Sequence, residues 1–133
     1  MLGGMAHLSI RIDFEPSGSA LGPGMAQLLE RIDKLGSIRK AAISMDMSYR
    51  KAWLLVHSVQ QTFGGPVVTT EIGGSSGGGA RLTDLGRKLV KTFREIEEVA
   101  TRAAETEMED LSALVRKDAP VRGKFSRGKR KGN

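Results

Sequence analysis

The spacing of hydrophobic positions divides the first third of the chain into a strand, a loop and a helix. Residues 8–14 alternate apolar and polar side chains, which is typical of a half-buried strand. Residues 15–22 are rich in proline and glycine and are predicted to form a loop. Hydrophobic residues then recur at steps of three and four over residues 23–35, so this pattern predicts a first helix that ends at Gly36.

Two serines mark the starts of the next two helices. Ser37 is a good N-cap for a short second helix with a small buried face. A tight break follows at residues 45–47, and Ser48 is the N-cap of a third helix over residues 49–63. Apolar residues collect on one side of this third helix. Its other side, which begins at Arg50, is therefore predicted to face away from the core.

The sequence after the third helix predicts a β-hairpin with a glycine-rich tip. Residues 67–72 are β-branched except for Glu71, residues 73–79 are glycine and serine, and residues 80–83 can form a return strand. A helix, a short helix, a tight turn, a helix and a hairpin are the parts of a winged helix-turn-helix. We therefore predict a mostly α fold with a small β wing (α+β), and we expect residues 8–14 to join the wing in one sheet.

A long helix is predicted to follow, from Thr83 as its cap to as far as residue 117. Such a helix extends roughly 50 Å, which is too long for one small domain to cover. Its apolar residues fall near the steps of a heptad seam, and we expect this seam to form the interface of a homodimer. The seam residues are Leu89, Phe93, Ile96, Ala100, Ala103 and Leu111.

Positive charge is concentrated in two segments of this chain, whose net charge is +6. Residues 37–62 hold four basic residues against one acidic residue, and residues 118–133 hold six against one. Residues 84–110 hold five basic residues against eight acidic ones. Because clustered positive charge attracts phosphate backbones, double-stranded DNA is the expected partner. We predict a DNA-binding domain over residues 1–83, a dimerisation helix over residues 84–117 and a disordered basic tail over residues 118–133.

Other classes of protein find little support in the composition. The chain has no cysteine, two isolated histidines and no visible nucleophile–base pair. We therefore expect neither an enzyme nor a bound metal or other cofactor. No stretch approaches the roughly 20 apolar residues of a membrane helix, and residues 1–6 do not resemble a secretory signal. The default expectation is a cytoplasmic protein with no membrane contact.

The start of the third helix holds the candidate base contacts. In a helix-turn-helix the N-terminal residues of the second helix of the motif face base edges in the major groove. Arg50 can hydrogen-bond a guanine at two points, and Ser48 can hydrogen-bond a base or a phosphate. Tyr49 can pack on a thymine methyl or hydrogen-bond a phosphate. Lys51 belongs to the same start. The candidate phosphate contacts are Arg39 and Lys40 on the second helix and Arg81 beside the wing tip.

Several of these features also have simpler interpretations. Trp53 can touch a base, but packing between the third helix and the wing is favoured for a lone tryptophan. Residues 73–79 lack the Gly-Lys-Ser/Thr ending of a phosphate loop, which leaves a hairpin tip or a flexible linker. The pair of Arg50 and Lys51 is either a solvated helix face or a DNA contact, and its position after the turn favours DNA. The basic tail is either a nonspecific anchor or without a role.

A family resemblance rests on three segments. Residues 36–42 contain Gly-Ser-Ile and, three residues on, Ala-Ala; residues 47–53 are Met-Ser-Tyr-Arg-Lys-Ala-Trp; residues 73–83 are Gly-Gly-Ser-Ser-Gly-Gly-Gly-Ala-Arg-Leu-Thr. In combination they resemble the N-terminal DNA-binding domain of the molybdate-responsive ModE regulators. They are similar, more distantly, to the helix-turn-helix of LysR-type regulators. The resemblance covers roughly residues 8–99.

The resemblance implies a winged helix, a homodimer held by the long C-terminal helix, and activation or repression of transcription. It places Ser48, Tyr49, Arg50 and Lys51 at the DNA-facing start of the recognition helix, and Trp53 matches the family's tryptophan. Ser75 and Ser76 fall on the wing, where the family often has a basic residue, and they are counted among the candidate DNA contacts.

Full-length members of this family continue into small β-barrel domains that bind molybdate or tungstate. No strand-rich segment follows Lys117, so we expect this chain to lack that oxyanion sensor, and molybdate is a candidate ligand only through the resemblance. Two rival functions remain. One is an oxyanion sensor that binds molybdate or tungstate at the dimer interface. The other is an adaptor that uses the winged helix to bind a protein and not DNA.

Overall fold

Nine helices and strands follow one another in the computed structural model, which describes residues 5–16, 19–71 and 79–118. In chain order they are β1 (Ile12–Phe14), β2 (Ser19–Leu21), α1 (Pro23–Leu35), α2 (Ile38–Ser44), α3 (Tyr49–Phe63), β3 (Val68–Glu71), β4 (Gly79–Leu82), α4 (Asp84–Ala103) and α5 (Glu105–Ala113). The described residues are mostly helical with small antiparallel strand pairs. The predicted α+β class is thereby confirmed.

The ends of α1 and α3 follow local signals in the sequence. Pro23 occupies the first turn of α1, where its missing N–H costs nothing. Gly36 closes α1 at φ 71°, and its N–H donates to the Ile32 carbonyl at 2.8 Å. Gly64 closes α3 in the same way at φ 72°, with its N–H on the Gln60 carbonyl at 2.9 Å. Both positions need the left-handed backbone that glycine adopts without strain.

One hydrophobic core lies among α1, α2, α3, the β3–β4 pair and the first half of α4. It is mostly aliphatic, with a single aromatic side chain among its fully buried members. The largest fully buried side chains are Phe93, Leu28, Leu29, Ile32, Val59 and Val67. α1 contributes three of these six, which makes it the central helix of the core.

The strands form two separate antiparallel pairs, which corrects two expectations. Residues 15–22 were predicted to be a loop, but they include β2, which pairs with β1 so that Ile12 lies opposite Leu21. β1 was expected to join the wing, but its partner is β2, and β3 pairs with β4 instead. The physical reason is local: β2 packs on α3, and Phe14 beside it makes an edge-to-face contact with Phe63 at 5.1 Å.

The predicted long helix is divided in two. α4 ends at Ala103, and Ala104 (φ −101°, ψ 11°) separates it from α5. α5 then ends before residue 117, with Leu114 as its C-cap. None of the helices in the described ranges is long and apolar enough to span a lipid bilayer.

Two of the predicted seam residues belong to the core of the chain. Leu89 is buried and Phe93 is completely inaccessible to solvent. Since a side chain with no exposed surface cannot contact a second molecule, Phe93 is corrected from interface to core, and Leu89 packs in the same core cluster. Ile96 on α4 and Leu111 on α5 are exposed. Ala100 is half-buried and Ala103 is exposed.

The described residues belong to two compact units. The first is Ser9–Ala100, which contains β1 to β4, α1 to α3 and most of α4. The second combines the described residues of Met1–Leu8 with those of Thr101–Asn133. Within the second unit, the Ala6 N–H donates to the Ser112 hydroxyl at 2.6 Å. A cavity of about 430 Å³ lies beside this hydrogen bond.

Candidate nucleic-acid interface

A tight turn joins α2 to α3 and sets the position at which α3 begins. The Met45 and Met47 N–H groups both donate to the Ala42 carbonyl, each at 3.0 Å. Between them Asp46 has φ 59°, which makes it the one non-glycine residue with a positive φ in the described ranges. Aspartate tolerates this left-handed conformation better than most residues do. The predicted break at residues 45–47 is confirmed.

The hydroxyl of Ser48 is engaged in capping α3. Its Oγ accepts a hydrogen bond from the Lys51 N–H at 3.0 Å. Ser37 caps α2 in the same way, through the Lys40 N–H at 3.0 Å. Each cap satisfies one of the backbone donors that the start of a helix leaves unpaired. The Ser48 hydroxyl proton is not used by this bond, so the same oxygen can still donate to a second group.

Arg39 on α2 and Tyr49 on α3 contact each other across the turn. The Arg39 guanidinium carbon lies 4.7 Å from the centre of the Tyr49 ring, within the range of a cation–π interaction. The two side chains line an open groove of about 220 Å³ that also includes Thr70 and Glu71 of β3. Two predicted site residues from different helices are thus brought together beside the β3–β4 pair.

The outward face of α3 carries basic and large apolar side chains together. Ala52, Val56 and Val59 are buried, and Arg50 and Lys51 are exposed. Large apolar side chains share the exposed surface of this helix: Tyr49 is 43% exposed, Trp53 46% and Leu54 45%.

Trp53 does not have the position favoured from the sequence, which was packing between the third helix and the wing. Its indole stacks on the imidazole of His57, with ring centres 4.9 Å apart and ring planes inclined by 10°. Because nearly half of Trp53 is exposed, the indole is not buried between α3 and the strands. Trp53 is therefore a surface residue of α3 and not a core residue.

The β3–β4 pair is attached to the end of α1 by two hydrogen bonds. The Leu82 N–H donates to the Asp33 carboxylate at 2.9 Å, and the Ala80 N–H donates to the Gly36 carbonyl at 2.9 Å. Arg81 lies between these two anchored residues, opposite Thr69, and is exposed. Ser75 and Ser76 lie outside the described residues.

α3 holds the other strand of the pair through Gln60. The Gln60 Oε1 accepts hydrogen bonds from the Val67 N–H at 3.0 Å and the Val68 N–H at 3.4 Å. Sequence reasoning missed both Gln60 and Asp33. Asp33 alone carried a signal, because a carboxylate in the last turn of a helix opposes the helix dipole and is unfavourable there without a partner.

Ion pairs connect α4 to α1. Arg94 donates to the Glu30 carboxylate at 2.8 and 3.0 Å, and it also donates to Glu97 at 2.7 Å. The hydrogen bond from Arg94 lowers the pKa of Glu30, and burial opposes this effect only in part. The same contacts raise the pKa of the Arg94 guanidinium. In the described ranges, no group of three histidine, aspartate or glutamate side chains is placed to hold a metal ion.

Comparison with known proteins gives relatives over about two thirds of the chain. No protein-family model matches it. It is 37% identical over 93 residues to the molybdenum transport protein ModE of Azotobacter vinelandii, covering 70% of this chain and 33% of that protein. It is 40% identical over 83 residues to the molybdenum-pterin-binding protein MopB of Rhodobacter capsulatus, covering 62% and 31%.

A third relative is named for an activity on DNA. The chain is 30% identical over 88 residues to the DNA-binding transcriptional dual regulator ModE of Escherichia coli strain K12, covering 66% of this chain and 34% of that protein. The chain thus spans about a third of the length of the curated relatives it matches. The ModE and Mop proteins are the relatives to which this sequence is similar.

Proposed function

We propose that this chain is a sequence-specific DNA-binding transcriptional regulator of the ModE type. In this proposal α2, the turn and α3 are a helix-turn-helix, the β3–β4 pair is the wing, and α3 enters the major groove. The observation that carries it is the outward face of α3, where exposed basic side chains follow a tight turn and where Tyr49, with Arg39 of α2, lines a groove beside the strand pair. The similarity to a relative named as a DNA-binding regulator supports it.

The site residues fall into two groups, base contacts and phosphate contacts. Arg50 reads a base, assisted by Tyr49 and Ser48 at the same helix start, because a guanidinium can bond both acceptors of a guanine. Cations around the helix contact phosphates, which fix register and supply affinity that depends on salt. These cations are Arg39, Lys40, Lys51 and Arg81. Ser75 and Ser76 stay candidates for the same role.

The test is selection of binding sites from a pool of random DNA duplexes at moderate salt. We expect an enriched inverted repeat with half-sites about one turn of DNA apart, roughly 34 Å. Arg50→Ala then weakens binding to the selected site by about 1–3 kcal/mol and binding to random DNA far less. Lys88→Ala is the matched control, since Lys88 is an exposed cation on α4 and its loss changes the net charge equally. Equal losses for both variants on both DNAs would contradict the proposal.

We further propose that the chain acts as a homodimer that uses the exposed apolar stripe of α4. Ile96, Val99, Ala100 and Ala103 occupy positions i, i+3, i+4 and i+7 of this helix and so share one face, and Val99 is 57% exposed. Leu111 of α5, in the other unit, is also exposed. Light scattering after size-exclusion chromatography should give twice the mass of one chain. Val99→Glu should give a folded monomer whose melting temperature no longer depends on protein concentration, because no partner stabilises its native state. An unchanged mass would contradict this interface.

Molybdate is a second candidate ligand, because one group of relatives is named for molybdenum-pterin binding. Thermal denaturation with molybdate, tungstate and sulfate separates this function from the first. Selective stabilisation by molybdate and tungstate over sulfate would favour an oxyanion sensor. Equal effects of the three anions would eliminate the oxyanion sensor.

A further inference from the structure

The exposed apolar side chains of α3 are unusual for a helix whose inner face is already fully packed. Three large side chains within six residues, Tyr49, Trp53 and Leu54, each leave more than two fifths of their surface in water. Single exposed apolar residues are ordinary, but a cluster of large ones marks a binding surface. Because α3 buries Ala52, Val56 and Val59 in the core, the exposed cluster contributes nothing to that core.

Trp53 is the member of this cluster whose ring is both fixed and open to a partner. The stack on His57, one helical turn later, holds one face of the indole in a defined orientation. Tyr49 differs, because the Arg39 guanidinium lies over its ring. A side chain that is held in place before binding loses less conformational entropy when a partner arrives.

The charges around Trp53 limit the chemistry of that partner. Arg50 and Lys51 precede it on the same helix, and Asp46 is the only acidic residue among residues 37–62. The partner is therefore strongly anionic and also offers a small apolar group. Double-stranded DNA meets both conditions, because its phosphates are anionic and the C5-methyl of thymine projects into the major groove.

We propose that Trp53 is a specificity-determining residue that recognises a thymine through its C5-methyl group, and that His57 is the positioning residue that orients the indole. This inference rests on the proposed function. Trp53 follows Arg50 by three residues, a rise of about 4.5 Å along the helix. One base-pair step is about 3.4 Å, so the thymine lies one or two base pairs from the guanine that Arg50 reads.

The experiment compares thymine with deoxyuridine, which lacks only the methyl group. Duplexes carrying the selected site are made with each thymine replaced in turn, and the dissociation constant is measured for each duplex. For the unaltered protein we expect one or two positions per half-site at which deoxyuridine weakens binding about fourfold, the effect of one buried methyl group. Trp53→Ala should bind more weakly overall and bind both duplexes equally well. Trp53→Phe, which keeps a ring on His57, should show an intermediate ratio.

The variants of His57 test its positioning role. His57→Phe preserves a flat ring for the stack and should keep the discrimination between thymine and deoxyuridine. His57→Ala removes the stack and should reduce that discrimination while leaving the melting temperature within a few degrees. Leu54→Ala is the matched control, because it removes an equally exposed apolar side chain from the same helix and should leave the ratio at the Trp53 position unchanged.

The possible results separate this inference from the proposed function. If no site is enriched from the random pool, both are overturned. If a site is enriched, two results would show that the inference about Trp53 is wrong while the proposed function stands. The first is that Trp53→Ala and the unaltered protein have the same ratio of dissociation constants for the deoxyuridine and thymine duplexes at every position. The second is that neither protein distinguishes the two duplexes. The inference is also wrong if Trp53→Ala leaves DNA affinity unchanged, in which case the indole faces another partner. Loss of the methyl effect in Leu54→Ala would assign the contact to Leu54.

Discussion

The carboxylate of Glu30 on α1 and the guanidinium of Arg94 on α4 meet through two hydrogen bonds, although 64 residues separate them in the chain. The pair lies at the edge of the core, with the two side chains 41% and 37% exposed. Two-point geometry of this kind fixes the direction of both side chains as well as their distance. The contact therefore joins α4 to α1 at the edge of the core, and its strength depends on pH.

We expect Glu30→Gln to lower the free energy of unfolding by about 1 kcal/mol or less at pH 7, since water screens a pair this exposed. The pKa of Glu30 in the folded protein is lowered from its usual 4.5 by the hydrogen bond from Arg94. The stabilisation is therefore present above pH 4.5 and is lost as the pH falls through the lowered value. Urea unfolding at pH 7 and pH 3 measures the difference. If the loss of unfolding free energy in Glu30→Gln is the same at pH 3 as at pH 7, the charge of Glu30 is not its source.

Ser48 allows capping to be separated from DNA contact. Ser48→Ala removes the acceptor of the Lys51 N–H and should cost about 1 kcal/mol of stability. Ser48→Asp retains a good capping oxygen and a favourable charge at the helix start, so its stability should match that of the unaltered protein. The added negative charge should nevertheless weaken DNA binding. Thermal melts measure the stability of the two variants, and DNA titrations measure their affinity. If Ser48→Asp binds DNA as tightly as the unaltered protein, the DNA does not contact the start of α3.

Asp33 is expected to act as a hydrogen-bond acceptor for β4 and not through its charge. Asp33→Ala leaves the N–H of the buried Leu82 without a partner, which should cost about 1–3 kcal/mol. Asp33→Asn keeps an acceptor oxygen and should cost much less. Amide hydrogen exchange at Leu82 reports on the contact directly and should accelerate only in the alanine variant. Equal acceleration in both variants would mean that the charge is what matters.

Gly86 at the start of α4 has no room for a side chain. A Cβ there would collide with the carbonyl oxygen of Val67, a backbone atom that cannot turn aside. Gly86→Ala should therefore destabilise the fold by about 1–3 kcal/mol. Gly24 on α1 is the matched control, because a Cβ at that position meets nothing within 4 Å. Gly24→Ala should stabilise α1 by about 0.5–1 kcal/mol, and a urea titration that ranks the two variants otherwise would refute this packing.

The parts of the fold that sequence predicted are those with local causes. The bounds of α1 and α3 depend on Pro23, Ser48 and two glycines with positive φ, all of which act within a turn of the residues they affect. The break at Ala104 has no such cause, since alanine and glutamate favour a continuous helix. Its one trace in the sequence is acidic residues in the first turn of α5, where the helix dipole favours them.

The parts that sequence could not predict depend on contacts between distant residues. Leu89 and Phe93 share the spacing of Ile96, and an apolar stripe looks the same whether it packs on its own chain or on another. Asp33 and Gln60 are polar residues of types that usually lie at the surface, and the sequence does not show that they accept hydrogen bonds from backbone N–H groups of the β3–β4 region. The proposed site therefore has two parts. The residues of α2 and α3 that we propose as DNA contacts were visible in the sequence, and the residues that hold the strands were not.

The second half of α1 holds most of the first unit in register, although α1 contributes none of the proposed DNA contacts. Glu30 holds α4, Arg31 bonds the last residue of α2, and Asp33 and Gly36 hold β4. Three residues of α1 and its C-cap Gly36 thus bind three different elements, so α4, α2 and β4 are all attached to the same helix. If the proposed dimer assembles through α4, we expect its assembly and its affinity for DNA to be linked, each strengthening the other by the same free energy.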